Sequence, residues 1–95
     1  MRERYATLVR NKNRGGASKK AQDNRELAAL SAQLHPLFPH MTAAHYIDAA
    51  SNFLEYGDRE AARSMLAEAK LHMDDAHRAG EHLLGRLFQL RAEVG

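Results

Sequence analysis

The sequence predicts an all-α domain, a three-helix arrangement with a long C-terminal helix, preceded by a flexible basic N-terminal arm. Three observations carry this. Ala62, Leu66, Ala69, Met73, Ala76, Gly80, Leu83, Leu87, Leu90 and Val94 are spaced alternately four and three, which keeps small or apolar residues on one helical stripe. Gly57-Asp58 separates two segments of helical period by a turn short enough to force them antiparallel. Residues 1–25 hold eight Lys or Arg against Glu3 and Asp23, a surplus of +6, whereas the remainder holds six against ten carboxylates, or −4.

In chain order, residues 1–10 place Tyr5, Leu8 and Val9 among charges, a segment too short to hold a helix without tertiary contacts. Asn11 to Ser18 contains two adjacent glycines and no sizeable apolar residue, so the arm is expected to span 1–18 and the helical domain 19–95. Ser18 is the expected N-cap of a helix over about 19–34, in which Ala21, Leu27, Leu30 and Leu34 recur at helical spacing. Pro36 and Pro39 are expected to stop that helix, and His35–His40 to form a connector with Leu37 and Phe38 tucked inward. Thr42 is the expected cap of a helix over about 43–56, with Ala43, Ile47, Ala50 and Leu54 on its apolar line. Gly57 suits a left-handed C-terminal residue, and Asp58 suits the N-cap of the last helix. No proline lies beyond it. The stripe keeps its phase across Asp74-Asp75, Gly80 and Gly85, so one helix over about 59–92, some 50 Å long at about 1.5 Å per residue, is expected.

Tyr46, Ala49-Ala50 and Phe53, the Gly57-Asp58 turn, and Ala62, Leu66 and Ala69 stand at the spacings of a tetratricopeptide repeat, and residues 43–74 resemble a single such helical hairpin. The resemblance covers about a third of the chain and implies a helix pair in close contact. Asp74 stands where that family closes its second helix with proline, and neither flanking window repeats the pattern. A lone repeat does not build the concave groove of repeat arrays.

Composition excludes several functions. There is no cysteine, hence no disulfide or thiol chemistry. No apolar run approaches a membrane span, and the charged N-terminus has no secretory block, so a cytoplasmic location is expected. Aromatic residues make up only 6% and much of the apolar content is alanine, so the core is thin and a partner or second copy is expected to add stability.

Six histidines fall at 35, 40, 45, 72, 77 and 82, and steps of five do not share a helix face. Only Asp74, His77 and Glu81 have the spacing of a helical metal set, which is also that of an ordinary solvated face. No nucleophile with a base, no paired carboxylates and no phosphate loop are present, so neither an enzyme nor a cofactor is expected.

Two surfaces remain. Arg10, Lys12, Arg14, Lys19 and Lys20 are the candidates for nucleic-acid or acidic-partner contact, since mobile cations displace counterions from phosphate backbones, and Tyr5 could stack on an unpaired base. Leu83, Leu84, Leu87, Phe88 and Leu90 form a wide apolar face, either core or protein interface. The leading expectation is a small non-catalytic interaction or assembly protein, self-associating as a homo-oligomer, of a kind common among bacterial and bacteriophage accessory proteins. The alternative is a nucleic-acid-associated protein whose arm grips phosphate.

Overall fold

The computed structural model describes residues 1–75 and 81–95, with side chains described for 1–73 and 85–95. The described residues are all-helical: α1 (Arg2–Arg10), α2 (Ala17–Leu34), α3 (Pro39–Tyr56), α4 (Arg59–Asp75) and α5 (Glu81–Val94). Helix α3 is central. It packs against α2 and α4, α5 leans on both α3 and α4, and α1 docks on α2.

The α3–α4 turn forms as its residues dictate. Gly57 takes the left-handed conformation at φ 101°, its amide donates to the Leu54 carbonyl at 3.1 Å, and the Asp58 amide donates to the Phe53 carbonyl at 2.9 Å. Together these satisfy carbonyls that the helix end would leave unpaired. Asp58 Oδ1 then accepts from the Ala61 amide at 3.0 Å and starts α4.

Among the described residues the expected three helices are five, and the two differences have physical causes. The single helix over 59–92 is replaced by α4 and α5, which run back along each other. Arg59 Nη1 lies 3.3 Å from the Val94 carbonyl oxygen, whereas one straight helix would hold these residues some 50 Å apart. The whole molecule extends only 36 × 33 × 18 Å. Reversal covers the described end of the stripe: Ala62, Leu66, Ala69, Leu87 and Val94 share one buried cluster with Ile47, Ala50 and Phe53, and Met73 and Leu90 pack against it. The stripe is therefore a core stripe carried by two antiparallel helices.

The second difference is at the N-terminus. The residues assigned to an arm, 1–18, instead supply α1, a connection through Asn13 and Gly15 at positive φ, and the first residues of α2. Alone, nine residues would not hold a helix, but Leu8 is only 2% exposed, and Arg4 makes a two-pronged contact with Glu26, both bonds 2.8 Å.

Smaller corrections concern the helix starts and the proline connector. Helix α2 starts at Ala17 with Gly16 extended at the cap, so Ser18 lies inside the first turn. Pro39 opens α3, because a missing amide proton costs nothing in the first turn. Thr42 is accordingly inside α3 and buried, and its hydroxyl donates to Ser31 Oγ at 2.9 Å. Leu37 and Phe38 point outward, 86% and 50% exposed.

The α2–α3 seam is built from small and polar residues. Ala21, Asn24, Leu27, Ala28 and Ser31 of α2 are buried, and Asn24 Nδ2 donates to Asn52 Oδ1 at 2.7 Å in the interior. Asn24 Oδ1 has no hydrogen-bond partner, so this pair fixes register at some cost in stability. Asn52→Leu alone is expected to destabilise by about 1–3 kcal/mol, because it strands the buried Asn24 amide. The double variant Asn24→Leu with Asn52→Leu should recover most of that loss, as urea unfolding of the three proteins would measure.

Candidate functional site

A groove runs between α4 and α5. Arg63, Leu66, Ala67, Lys70 and Leu71 of α4 face Arg91, Val94 and Gly95 across a space of about 530 Å³. The α4 residues fall at i, i+3, i+4, i+7 and i+8, which is one helix face over two turns. Leu66 and Val94 form a buried floor, while Leu71 remains 60% exposed at the open side. Phe88, 57% exposed, lies one helical turn from Arg91 on α5 but does not line the groove.

Arginines hold the groove's far end. Arg59 Nη1 donates to the carbonyls of Glu93 and Val94, at 3.5 and 3.3 Å, and Arg63 Nη2 donates to Val94 at 3.4 Å. These are the carbonyls a helix C-terminus leaves unpaired, where cations are electrostatically favoured. The guanidinium of Arg63 has further donors beyond this bond. With Lys70 and the exposed Arg91, it gives the apolar floor a cationic rim.

A second cluster joins α1, the α1–α2 connection, α3 and α5. Lys12 Nζ bridges Asp48 Oδ2 at 2.8 Å and His45 Nδ1 at 2.9 Å, and Arg86 binds Asp48 Oδ1 at 3.0 Å. An ammonium only donates, so Nδ1 is the bare nitrogen and Nε2–H donates to the Tyr5 hydroxyl oxygen at 3.1 Å. Tyr5 stands edge-on to His35 and His45, with ring centroids 5.4 and 6.0 Å away. Burial first, and the Lys12 charge second, push His45 down from 6.5 to about 4, so it is neutral at pH 7. Both ring nitrogens and the Lys12 ammonium already have partners within the chain. This is a clamp between helices.

The candidates for phosphate contact are dispersed over this framework. Lys12 belongs to the clamp, Lys19 pairs with Asp23 at 2.6 Å, and Lys20 lies 3.7 Å from Glu55. Arg10 reaches Thr7 Oγ1 at 3.4 Å, and Arg14 is exposed. Tyr5 is engaged with two histidines. Of the candidate interface residues, Leu87 is core at 1% exposure, Leu90 is half-buried and Phe88 faces outward. The side chains of Leu83 and Leu84, and the Asp74, His77 and Glu81 set, lie outside the described residues. Among the described residues no group of His, Cys, Asp or Glu is placed to hold a metal ion, and no helix is long and apolar enough to cross a membrane.

Sequence reasoning did not identify the groove, although Arg63, Ala67 and Lys70 form a second four-three series one residue beyond Ala62, Leu66 and Ala69. It missed the His45 clamp as well, whose partners lie 33 and 40 residues away in the chain and leave no local signal. Comparison with protein-family models, with curated proteins and with solved structures gave no match to this chain.

Proposed function

We propose that this chain is a small non-catalytic interaction protein that works within an assembly and makes its contacts through the α4/α5 face. The observation that supports this is the groove: an apolar floor, a cationic rim, and a large apolar side chain, Leu71, left exposed at its open side. An exposed apolar surface with a polar rim has the composition of a docking surface. The resemblance of residues 43–74 to a tetratricopeptide hairpin is part of the same proposal, with α3 and α4 as the rigid scaffold that presents the groove.

Phosphate contact through the N-terminal cations is the second reading. Their number favours it, and the pairing of Lys12, Lys19 and Lys20 with carboxylates of the same chain weighs against it, because each pair must open before a phosphate can be bound.

Leu71→Asp tests the first reading. The side chain is exposed, so the variant should keep its helix content and thermal midpoint while losing association with itself or its partner, measured by light scattering and co-purification. An unchanged association state would count against the α4/α5 face.

A further inference from the structure

The α3–α4 corner has the chemistry that the groove lacks. Tyr56, the last residue of α3, is 61% exposed; Glu55 before it lies 3.7 Å from Lys20, and Asp58 and Glu60 after it are exposed, with Arg59 between them turned to the end of α5. An aromatic side chain with carboxylates on both sides thus projects from one corner of the molecule. The groove with its apolar floor rimmed by Arg63, Lys70 and Arg91 begins one helical turn along α4 from Glu60. No other stretch of the described surface combines an exposed ring with so many exposed carboxylates.

We propose that the occupant of the α4/α5 groove is the α3–α4 corner of a second copy of this chain, with Tyr56 on the apolar floor and Asp58 and Glu60 against the cationic rim. The inference rests on the interaction reading above and names its partner. Tyrosine is a frequent anchor in interfaces because it offers a large apolar ring with a polar tip and little rotamer entropy to lose. The rim charges steer and orient the approach, so the association weakens as salt rises. Both sides are formed before contact: the corner is held by the Gly57 turn, and the groove by the α4 arginines on the end of α5. A preformed knob and a preformed groove need little reorganisation to meet.

A mixing experiment tests this directly. Tyr56→Asp removes the knob and Arg91→Glu reverses the rim; both positions are exposed, so each variant should keep its fold, as circular dichroism would check. Wild type should associate in light scattering, each variant alone should be weakened by about tenfold or more, and an equimolar mixture of the two should recover a heterodimer. That recovery is expected because each variant retains the half that the other has lost. Glu60→Lys together with Arg91→Glu should likewise regain association that either change alone removes. A wild-type protein that stays monomeric at about 1 mM, where even weak specific contacts register, overturns the proposal. A mixture no better than its parts overturns it as well. If Leu71→Asp abolishes association while Tyr56→Asp leaves it intact, the face is an interface with another occupant: this inference falls and the interaction reading stands. If neither variant changes association, both fall.

Discussion

Leu87→Asp is expected to unfold the protein, while Phe88→Asp, one residue along, leaves the fold intact. Leu87 is 1% exposed and sits in the cluster that joins α3, α4 and α5, whereas Phe88 is 57% exposed on the outer flank of α5. Aspartate at 87 removes the buried apolar contacts of a leucine, worth about 2–5 kcal/mol when truncated to alanine. It also buries a carboxylate among apolar side chains, a cost of several kcal/mol more unless it stays protonated. A domain of this size holds only about 5–15 kcal/mol in all. The exposed position should change stability by less than about 0.5 kcal/mol. Thermal unfolding followed by circular dichroism separates the two variants. A folded Leu87→Asp protein would mean that this leucine serves an interface instead of the core, contrary to its burial.

The contrast between these neighbours shows what the stripe reveals and what it hides. Its four-three period correctly selects Ala62, Leu66, Ala69, Leu87, Leu90 and Val94 as inward-facing, because side-chain direction is a local property of a helix. It is blind to chain reversal. A helix that folds back with its apolar face against the same partner keeps the same period, so continuity of phase across Asp74 and Gly80 cannot tell one long helix from an antiparallel pair. The alanine-rich first half packs closely on α3, and Leu87, Leu90 and Val94 of the second half join the same cluster because the chain reverses.

Turns obey the same rule of locality. Gly57-Asp58 was legible because one residue must take positive φ and the next must cap, and both demands are met within two positions. Pro39 was not, since proline ends one helix and begins another with equal ease. The docking of α1 depends on Arg4 meeting Glu26, 22 residues away, and on Lys12 meeting Asp48. Neither pair carries a mark in the sequence, and a charged stretch with two glycines looks the same whether it is solvated or docked. The groove is a property of two helices brought side by side. Its cations were visible one at a time in the sequence, but nothing assigned Arg63 and Arg91 to one rim before the reversal was known.

Acid is expected to release α1 from the body of the protein, and His45 gives the direction and the pH range. In the folded clamp, burial and Lys12 hold its ring at about 4, while in the unfolded chain it titrates near 6.5. The unfolded state therefore binds the proton more tightly, and stability rises with pH between these two values. The clamp's contribution is intact above about 6.5, falls progressively as pH drops towards about 4, and changes little further below that. The structural reason is specific. A proton on Nδ1 would place an N–H against the Lys12 ammonium that now donates to it, turning a hydrogen bond into a repulsion. Asp48 tempers this from the other side, and Arg86 in turn engages Asp48, so α5 is linked to the same equilibrium. The Arg4–Glu26 pair adds a smaller effect of the same sign: its hydrogen bond holds Glu26 below the usual carboxylate range, so that contribution too is lost in acid. Urea unfolding at about pH 7 and about pH 4.5 should show a clearly lower midpoint in acid, with hydrogen exchange in α1 rising before exchange in α3. His45→Gln offers a side-chain amide that accepts from Lys12 without titrating. It should therefore flatten the midpoint's dependence on pH across this range, even if it lowers stability at pH 7. A His45→Gln protein with the same acid sensitivity as wild type would place the responsible group elsewhere.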